Sequence, residues 1–377
     1  MLKYLSLFSG IGAFESALTN LGVNYEIVNY CEIDKYASKS YSAIHGVPET
    51  KNLWDITKVN VFNLPKHGEI DLVTYGFPCQ DISIAGKQKG LFNEDGSLTR
   101  SGLFFDALKV IEHCKPKVAI AENVKNLTSK KFATQFKTVL KSLEDAGYNN
   151  YWKVLNAKDY GIPQNRERVF IVSIRKDVDN ELFEFPKPYK LEKRLKDFLE
   201  PNVDEKYYLS DAQITRMKTT SYASAQINNR AVNENGIIGT LLARDYKDPK
   251  CVVIEPKRLG GLFDTETSKH QAGSIWDKEC ISPTIDTMQG GYRQPMIIVT
   301  EKTKKGYTEA YDGVVENSRI RKLTPKECYR LMGFSDEEFE RAENVPTSNS
   351  QLYKQAGNSI VVDVLEEIFR MMLDEND

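Results

Sequence analysis

The 377 residues are 41% hydrophobic and 28% charged, enough for a sizeable packed core and against intrinsic disorder. No apolar run reaches the length of a membrane span, no secretory signal pattern opens the chain, and the 6 cysteines show no CxxC pairing, which predicts a cytoplasmic protein with reduced thiols and excludes disulfide scaffolds and zinc fingers. The net charge of −2 is uneven: residues 321–377 hold 7 basic and 12 acidic side chains, against 23 and 22 in 1–185 and 21 and 19 in 186–320, so a local basic cleft remains compatible with the sequence.

In chain order, Leu2–Phe8 is an apolar run that ends at Gly10, and Ala13–Leu21 follows with Phe14, Ala17, Leu18 and Leu21 at helical spacing. Tyr25–Ile33, Ile70–Gly76, Val118–Ala121, Trp152–Asn156 and Val169–Ile174 read as further strands, with helices at Phe104–His113 and Phe132–Ala146. Strands alternating with helices predict a mainly parallel sheet covered on both faces. The two prolines of Phe183-Glu184-Phe185-Pro186-Lys187-Pro188 exclude a regular helix and suit a linker. From about 190 to 320 the chain is loop-rich, with short β-branched runs at Cys251–Ile254 and Met296–Val299. Thr324-Pro325-Lys326-Glu327 has the form of a capping box with proline at the first helical position. Ser359 is placed to cap a final helix that carries Ile360, Val361, Val364, Leu365 and Ile368 on one face. The expected layout is an α/β domain over 1–185, a second domain over 186–320, and a segment 321–377 that returns to the first.

Phe8-Ser9-Gly10-Ile11-Gly12 lies between a strand and a helix, like a dinucleotide fingerprint without its third glycine. Glu32, 20 residues after Gly12 at the end of the next strand, stands where an acid holds ribose hydroxyls. The pattern suits an adenosine-type cofactor and does not separate a nicotinamide dinucleotide from S-adenosylmethionine; a tight turn beside a surface carboxylate has the same sequence. Asp55, in Trp54-Asp55-Ile56, is a candidate acceptor for an adenine amino group or a plain loop residue.

Tyr75-Gly76-Phe77-Pro78-Cys79-Gln80-Asp81-Ile82-Ser83 ends a strand on the face where open α/β sheets bind ligands. A lone cysteine is most often a small buried hydrophobe; one in a loop, after proline and before polar residues, suits an exposed nucleophile. Residues 86–102, rich in glycine and polar side chains, read as a lid, with Lys87 and Lys89 placed for phosphates, although a solvated loop has the same composition. Ala121-Glu122-Asn123-Val124 brings a carboxyl group to the end of another strand, and Arg166 and Arg168 alternate along Gln164–Arg168, on one face.

Phe8–Gly12, Gly76–Gln80, Glu122–Val124, Gln164–Arg168, the helix motif Thr324–Phe334 and Gln355-Ala356-Gly357-Asn358-Ser359 occur in the order seen in cytosine-5 DNA methyltransferases, and the chain resembles that family in its bacterial and phage form. The resemblance implies a Rossmann-like S-adenosylmethionine-dependent methyltransferase sheet with helices on both faces, plus a smaller, loop-rich, mostly β target-recognition domain. It implies methyl transfer from S-adenosyl-L-methionine to C5 of a cytosine flipped out of duplex DNA, through a covalent bond between a cysteine and C6. Cys79 is then the nucleophile, Glu122 the group at N3 and the exocyclic amine, Arg168 the partner of O2, and Arg166 a support for Glu122 or a phosphate. Phe8, Gly10, Ile11, Gly12, Glu32, Ile33, Asp55, Ile56, Pro78, Asn358 and Ser359 are the implied cofactor residues, and no metal is called for. Gln80, Ser83, Lys87 and Lys89 are implied DNA contacts. In relatives a threonine before an aliphatic residue marks the recognition domain; Thr240-Leu241 and Thr284-Ile285 both fit, the second followed by Arg293 and Gln294, which suit guanine and adenine edges or a simple hairpin turn. Implied partners are double-stranded DNA and, for enzymes of this type, a functionally paired restriction endonuclease; a monomer is expected. A tRNA cytosine-5 methyltransferase and a catalytically silent regulator of the same fold are the competing readings.

Overall fold

The computed structural model describes residues 1–83, 88–210, 231–243, 245, 250–254, 258–261, 274–276, 296–297 and 319–373. The chain divides into two units, one made of 1–199, 237–248 and 324–377, the other of 200–236 and 249–323. These boundaries differ from the expected 186 and 320. Leu195 and Phe198, just past the proline linker, are buried, and so is Leu241, in a stretch that comes back to the first unit.

In the first unit, β1 (Leu2–Leu7), α1 (Ala13–Asn20), β2 (Tyr25–Cys31) and α2 (Lys35–His45) open the chain. They are followed by β3 (Leu72–Tyr75), α3 (Phe104–Cys114), β4 (Val118–Val124) and α4 (Ala133–Asp145). Then come β5 (Tyr148–Asn156), the two-residue β6 (Gln164–Asn165) and β7 (Glu167–Arg175). Six strands form one sheet in the order β2-β1-β3-β4-β7-β5. The first four run parallel, as helical crossovers require. β7 is antiparallel to both neighbours, Val118 opposite Ile174 and Tyr148 opposite Arg175, because only a short turn region rather than a helix joins β5 to it. Leu5, Val73, Ile120 and Val172 are at most 0% exposed, the continuous apolar centre of a sheet covered on both sides.

The sequence candidates for these strands hold to within a few residues. The caps explain where the helices start. The Asp34 carboxylate accepts from the Tyr36 and Ala37 N–H groups at the head of α2. Gly12, at φ +86, precedes α1 in the left-handed conformation that strains any residue with a Cβ, and a Cβ there would also displace the His45 ring, whose Nε2 would stand 2.0 Å away.

The second unit is described through short strands: β8 (Ala231–Asn233), β10 (Cys251–Ile254), β11 (Arg258–Gly261), β12 (Ser274–Trp276), β13 (Met296–Ile297) and β14 (Arg319–Lys322). They make two three-stranded sheets, β14-β10-β8 and β11-β12-β13. β9 (Ile238–Gly239) belongs to the first unit and pairs with β6.

The C-terminal segment folds as α5 (Pro325–Arg330), α6 (Asp336–Glu343), α7 (Asn349–Asn358) and α8 (Val362–Leu373). The expected capping box at Thr324 and Glu327 is formed, with Pro325 at the first turn. Ser359 is not the cap of the last helix: α8 begins at Val362, and the Ser359 N–H closes the end of α7 on the Gln355 carbonyl at 3.1 Å. The segment is tied to the front of the sheet. Phe14 packs edge-on to Phe369, Asn20 donates to Glu366, Arg341 donates to the Ile44 carbonyl, and Lys354 pairs with Asp34. Among the described residues no helix is long and apolar enough to cross a membrane.

Candidate active site

Two groups of residues gather at the C-terminal ends of the parallel strands. The first surrounds the glycine turn after β1. Phe8 (φ +52) and Gly10 (φ +57) turn the backbone sharply; nothing lies within 4 Å of where a Gly10 side chain would begin. The Gly10 N–H donates to Oε2 of Glu32 at 2.9 Å, and the Asp34 N–H donates to Oε1 at 2.7 Å. Burial pushes the Glu32 carboxyl up to about 7, against these two backbone donors, which favour the anion. Asn52 fixes the loop: its Oδ1 accepts from the N–H groups of Glu32 and Trp54, at 3.0 and 2.8 Å, and its Nδ2 donates to the Glu32 carbonyl at 2.9 Å. The Cys31 thiol donates to the Trp54 carbonyl. Segment 52–56 therefore lies along 30–32, which brings Asp55 and Ile56 near Glu32. Two apolar side chains are exposed here, Ile33 at 70% and Trp54 at 40%.

Not every expected cofactor residue offers a side chain. Ile11 is 1% and Ile56 7% exposed, so both are core residues with only main chain to present, and the Ile11 carbonyl is engaged by His45 Nε2 at 2.9 Å. The Asp55 carboxylate binds the hydroxyl and N–H of Thr57, which hold it below the usual range. Asn358 is exposed at the end of α7, and Ser359 is buried. The Lys354–Asp34 pair carries α7 to the loop of Glu32. An open glycine cradle, a two-oxygen acceptor beside it and exposed apolar side chains fit a nucleoside. Among the described residues no group of three His, Cys, Asp or Glu side chains could hold a metal.

The second group carries reactive side chains. After β3 the chain turns through Gly76, buried Phe77 and Pro78 to Cys79. Asn123 Nδ2 holds the Phe77 carbonyl at 3.0 Å and Asn126 Nδ2 the Ile82 carbonyl. The Cys79 carbonyl accepts from the N–H groups of Ile82 and Ser83. Cys31, Cys114, Cys251 and Cys328 are buried, whereas Cys79 is only half-buried, which singles it out among the described thiols. Burial, then the nearby Glu122, raise its pKa, and Arg168 and Arg166 pull it back down, so the thiol is protonated at neutral pH.

Glu122 on β4 and Arg168 at the start of β7 meet at 2.9 Å, Oε1 to Nε, with side chains 12% and 16% exposed. Burial raises the Glu122 pKa and the two arginines oppose it. Gly76 lies against the carboxylate: a Cβ there would make an ordinary contact with Glu122 Oε2 at 3.7 Å. The expected support of Glu122 by Arg166 takes the form of charge alone, which lowers the carboxyl's pKa, and its hydrogen bonds go elsewhere. Arg166 is 4% exposed and spends its guanidinium on the carbonyls of Leu241, Gly357 and Ser359. Burial pushes its pKa down to about 9. Arg168 is the carboxylate's partner.

Of the expected DNA contacts, Gln80 is exposed and its Oε1 accepts from Arg100 at 2.9 Å. Ser83 is half-buried, and Lys89 reaches Asn93 at 3.5 Å. Thr240 donates its hydroxyl to the Asn165 carbonyl at 2.7 Å. Lys87, Thr284, Arg293 and Gln294 lie outside the described residues. The anchors of the loop after Cys79 carry no sequence signal of their own. Asp81 accepts from the Arg100 N–H and, through its carbonyl, from the Gly90 N–H; Gln135 accepts from the Leu91 N–H. Residues 91–99 form a small hairpin of their own, with Thr99 N–H on the Leu91 carbonyl, inside the stretch expected to be a lid.

Against known proteins, the profile of the family described as C-5 cytosine-specific DNA methylase matches residues 2–374. The chain is 35% identical to the orphan methyltransferase M.SPRI of Bacillus phage SPR, over 99% of this chain and 97% of the relative. It is 34% identical to the type II methyltransferase M.HhaI of Haemophilus parahaemolyticus, over 97% and 93%. Among solved structures, the Entamoeba histolytica methyltransferase EhMeth superposes with a TM-score of 0.67 at 16% identity, covering 100% of this chain and 99% of that one, a likeness of fold.

Proposed function

This chain belongs to the C-5 cytosine-specific DNA methylase family and is a DNA cytosine-5 methyltransferase, and we propose that it methylates a cytosine flipped out of duplex DNA by covalent catalysis from Cys79. The observation that carries the reading is the Glu122–Arg168 pair beside a half-buried thiol at the ends of β3 and β4.

Glu32 and the main chain at Gly10 would hold S-adenosyl-L-methionine, which when bound would supply an electrophilic methyl group. Phe8, Ile33 and Pro78 line that site, with main chain from Ile11, Gly12 and Ile56 and with Asn358 on the returning segment. Cytosine C5 is too poor a nucleophile to take a methyl group directly, and the protein's task is to raise its electron density. The Cys79 proton leaves to solvent as the base arrives, and the thiolate adds to C6. Glu122 gives its proton to N3, so the ring carries no net charge and C5 becomes enamine-like. Arg168 holds Glu122 and the base O2 and stabilises the carboxylate that results. C5 would then take the methyl group from the sulfonium, which is released as the neutral thioether. The C5 proton passes to solvent, the bond from sulfur to C6 breaks and gives back the Cys79 thiolate, which regains a proton, and the N3 proton returns to Glu122.

Burial raises the pKa of this thiol, so addition requires the proton to leave as the substrate binds. The target atom lies inside the stack of a duplex, and flipping is the means of reaching it. The second unit is the proposed target-recognition domain, and the enzyme is proposed to act as a monomer. Relatives named orphan and relatives named type II match it about equally, so the names do not divide on pairing with a restriction endonuclease.

The test uses duplex DNA with 5-fluorocytosine at the methylated position. Fluorine does not leave C5 as a proton does, so the protein should remain attached to DNA through denaturing electrophoresis, and Cys79→Ala should not. Equal trapping by both proteins would refute the covalent role of Cys79.

A further inference from the structure

Residues 237–243 run as a strap across the start of the arginine strand. β9 lies parallel to β6, Ile238 beside Gln164 and Gly239 beside Asn165. The centre of the attachment is the main chain of Leu241, whose N–H and C=O are both held by side chains. Its N–H donates to Gln164 Oε1 at 3.0 Å, and its carbonyl accepts from Arg166 Nη1 at 2.8 Å. Gln164 and Arg166 alternate along one extended segment, which points both at the same strap.

Each of these side chains has a second hold. Gln164 Nε2 donates to the Leu331 carbonyl at 2.8 Å, and Arg166 Nη2 donates to the carbonyls of Gly357 and Ser359. The two residues thus bracket the strap against the C-terminal segment. The fit is close: a Cβ on Gly357 would stand 2.2 Å from the carbonyl carbon of Leu242. Gln164 is 0% exposed, and Nε of Arg166 is buried with no hydrogen-bond partner. A buried guanidinium spent on main-chain carbonyls is a costly way to stabilise a core, and its clearest gain is that only one register of the strap satisfies it.

Chain connectivity gives the bracket its meaning. The strap is flanked on both sides by the second unit, which ends at Gly236 before it and resumes at Pro249 after it. Arg168, the partner of Glu122, is two residues beyond Arg166 on the same strand. We propose that Gln164 and Arg166 are positioning residues that lock the strap to the strand of Arg168, so that correct engagement of DNA by the second unit sets the Glu122–Arg168 pair for methyl transfer. The proposal rests on the DNA reading above and extends it from chemistry to discrimination between sites.

The test compares single-turnover methylation of a duplex carrying the site found by methylation mapping with that of a duplex altered at one base pair. Gln164→Met keeps the volume and removes the hold on the Leu241 N–H. It is expected to lower the ratio of the two rate constants about tenfold, a typical coupling between sites, with the Kd for S-adenosylhomocysteine, by calorimetry, within about twofold of the parent. Thr240→Val removes the neighbouring strap bond at a half-exposed position that tolerates an isosteric change. It should lower the same ratio about threefold with the Kd for S-adenosylhomocysteine within about twofold of the parent, whatever the fate of the first variant. A ratio unchanged in the variants that fold, with or without a drop in Tm, overturns the proposal and leaves the bracket a purely structural tie. Absence of methylation by the parent protein would instead refute the function itself.

Discussion

Glu32 offers a direct check on the electrostatics of the cofactor end. Its carboxyl is pushed from an ordinary 4.5 up to about 7 by burial, with the Gly10 and Asp34 N–H groups opposing the rise. At about 1.4 kcal/mol for each pH unit, that separation corresponds to about 3 kcal/mol. The sign follows from proton binding. Between these values the folded chain holds a proton that the unfolded chain has released, so the contribution is complete below pH 4.5 and is lost as pH rises towards 7. Glu32→Gln removes the titration. Its other effects, such as an amide N–H₂ placed beside a backbone donor, offset stability by an amount independent of pH. Urea unfolding of both proteins without cofactor should therefore give curves of stability against pH that diverge by about 3 kcal/mol in total across this window. Asp363, which burial raises to about 6, is present in both and cancels. Parallel curves would show that the Glu32 carboxyl is not desolvated as its surroundings imply.

Gly357→Ala should destabilise by about 1–3 kcal/mol, read as a lower urea midpoint; helix propensity alone favours alanine in α7 by about 1 kcal/mol, so the sign of the result decides whether the contact with the Leu242 main chain is as close as 2.2 Å. Glu122→Gln should lower kcat by about 10²–10⁴ while S-adenosylhomocysteine binds with unchanged Kd; a loss confined to cofactor affinity would move Glu122 out of the chemistry.

Local order was legible in the sequence wherever a short-range rule decides it. The turn Phe8–Gly12 lies between an apolar run and a helical period, and the Thr324 box is written in four consecutive residues. The antiparallel course of β7 was not legible, because apolar strands read alike in either direction. Arg166 and Arg168 are equivalent on a face-sharing argument. They are told apart only by what reaches them from afar: Glu122 for one, and the carbonyls of Leu241, Gly357 and Ser359, 75 to 193 residues away, for the other. Ser359 looked like a helix cap because its hydroxyl suits one, but its carbonyl is engaged by Arg166 instead. Thr240-Leu241 showed only a dipeptide pattern, and its place on the catalytic strand depends on a return of the chain that no local signal encodes.

The first unit is assembled from three separated stretches, the last beginning at Thr324. During synthesis the sheet, the thiol and the carboxylate leave the ribosome well before Arg166 has carbonyls to bind or Asp34 has Lys354 to pair with. At about 5–20 residues per second the interval is some ten seconds or more. A nascent chain therefore carries its reactive groups in an incomplete frame, and competence to modify DNA arrives only with the final helices, after the second unit has been made.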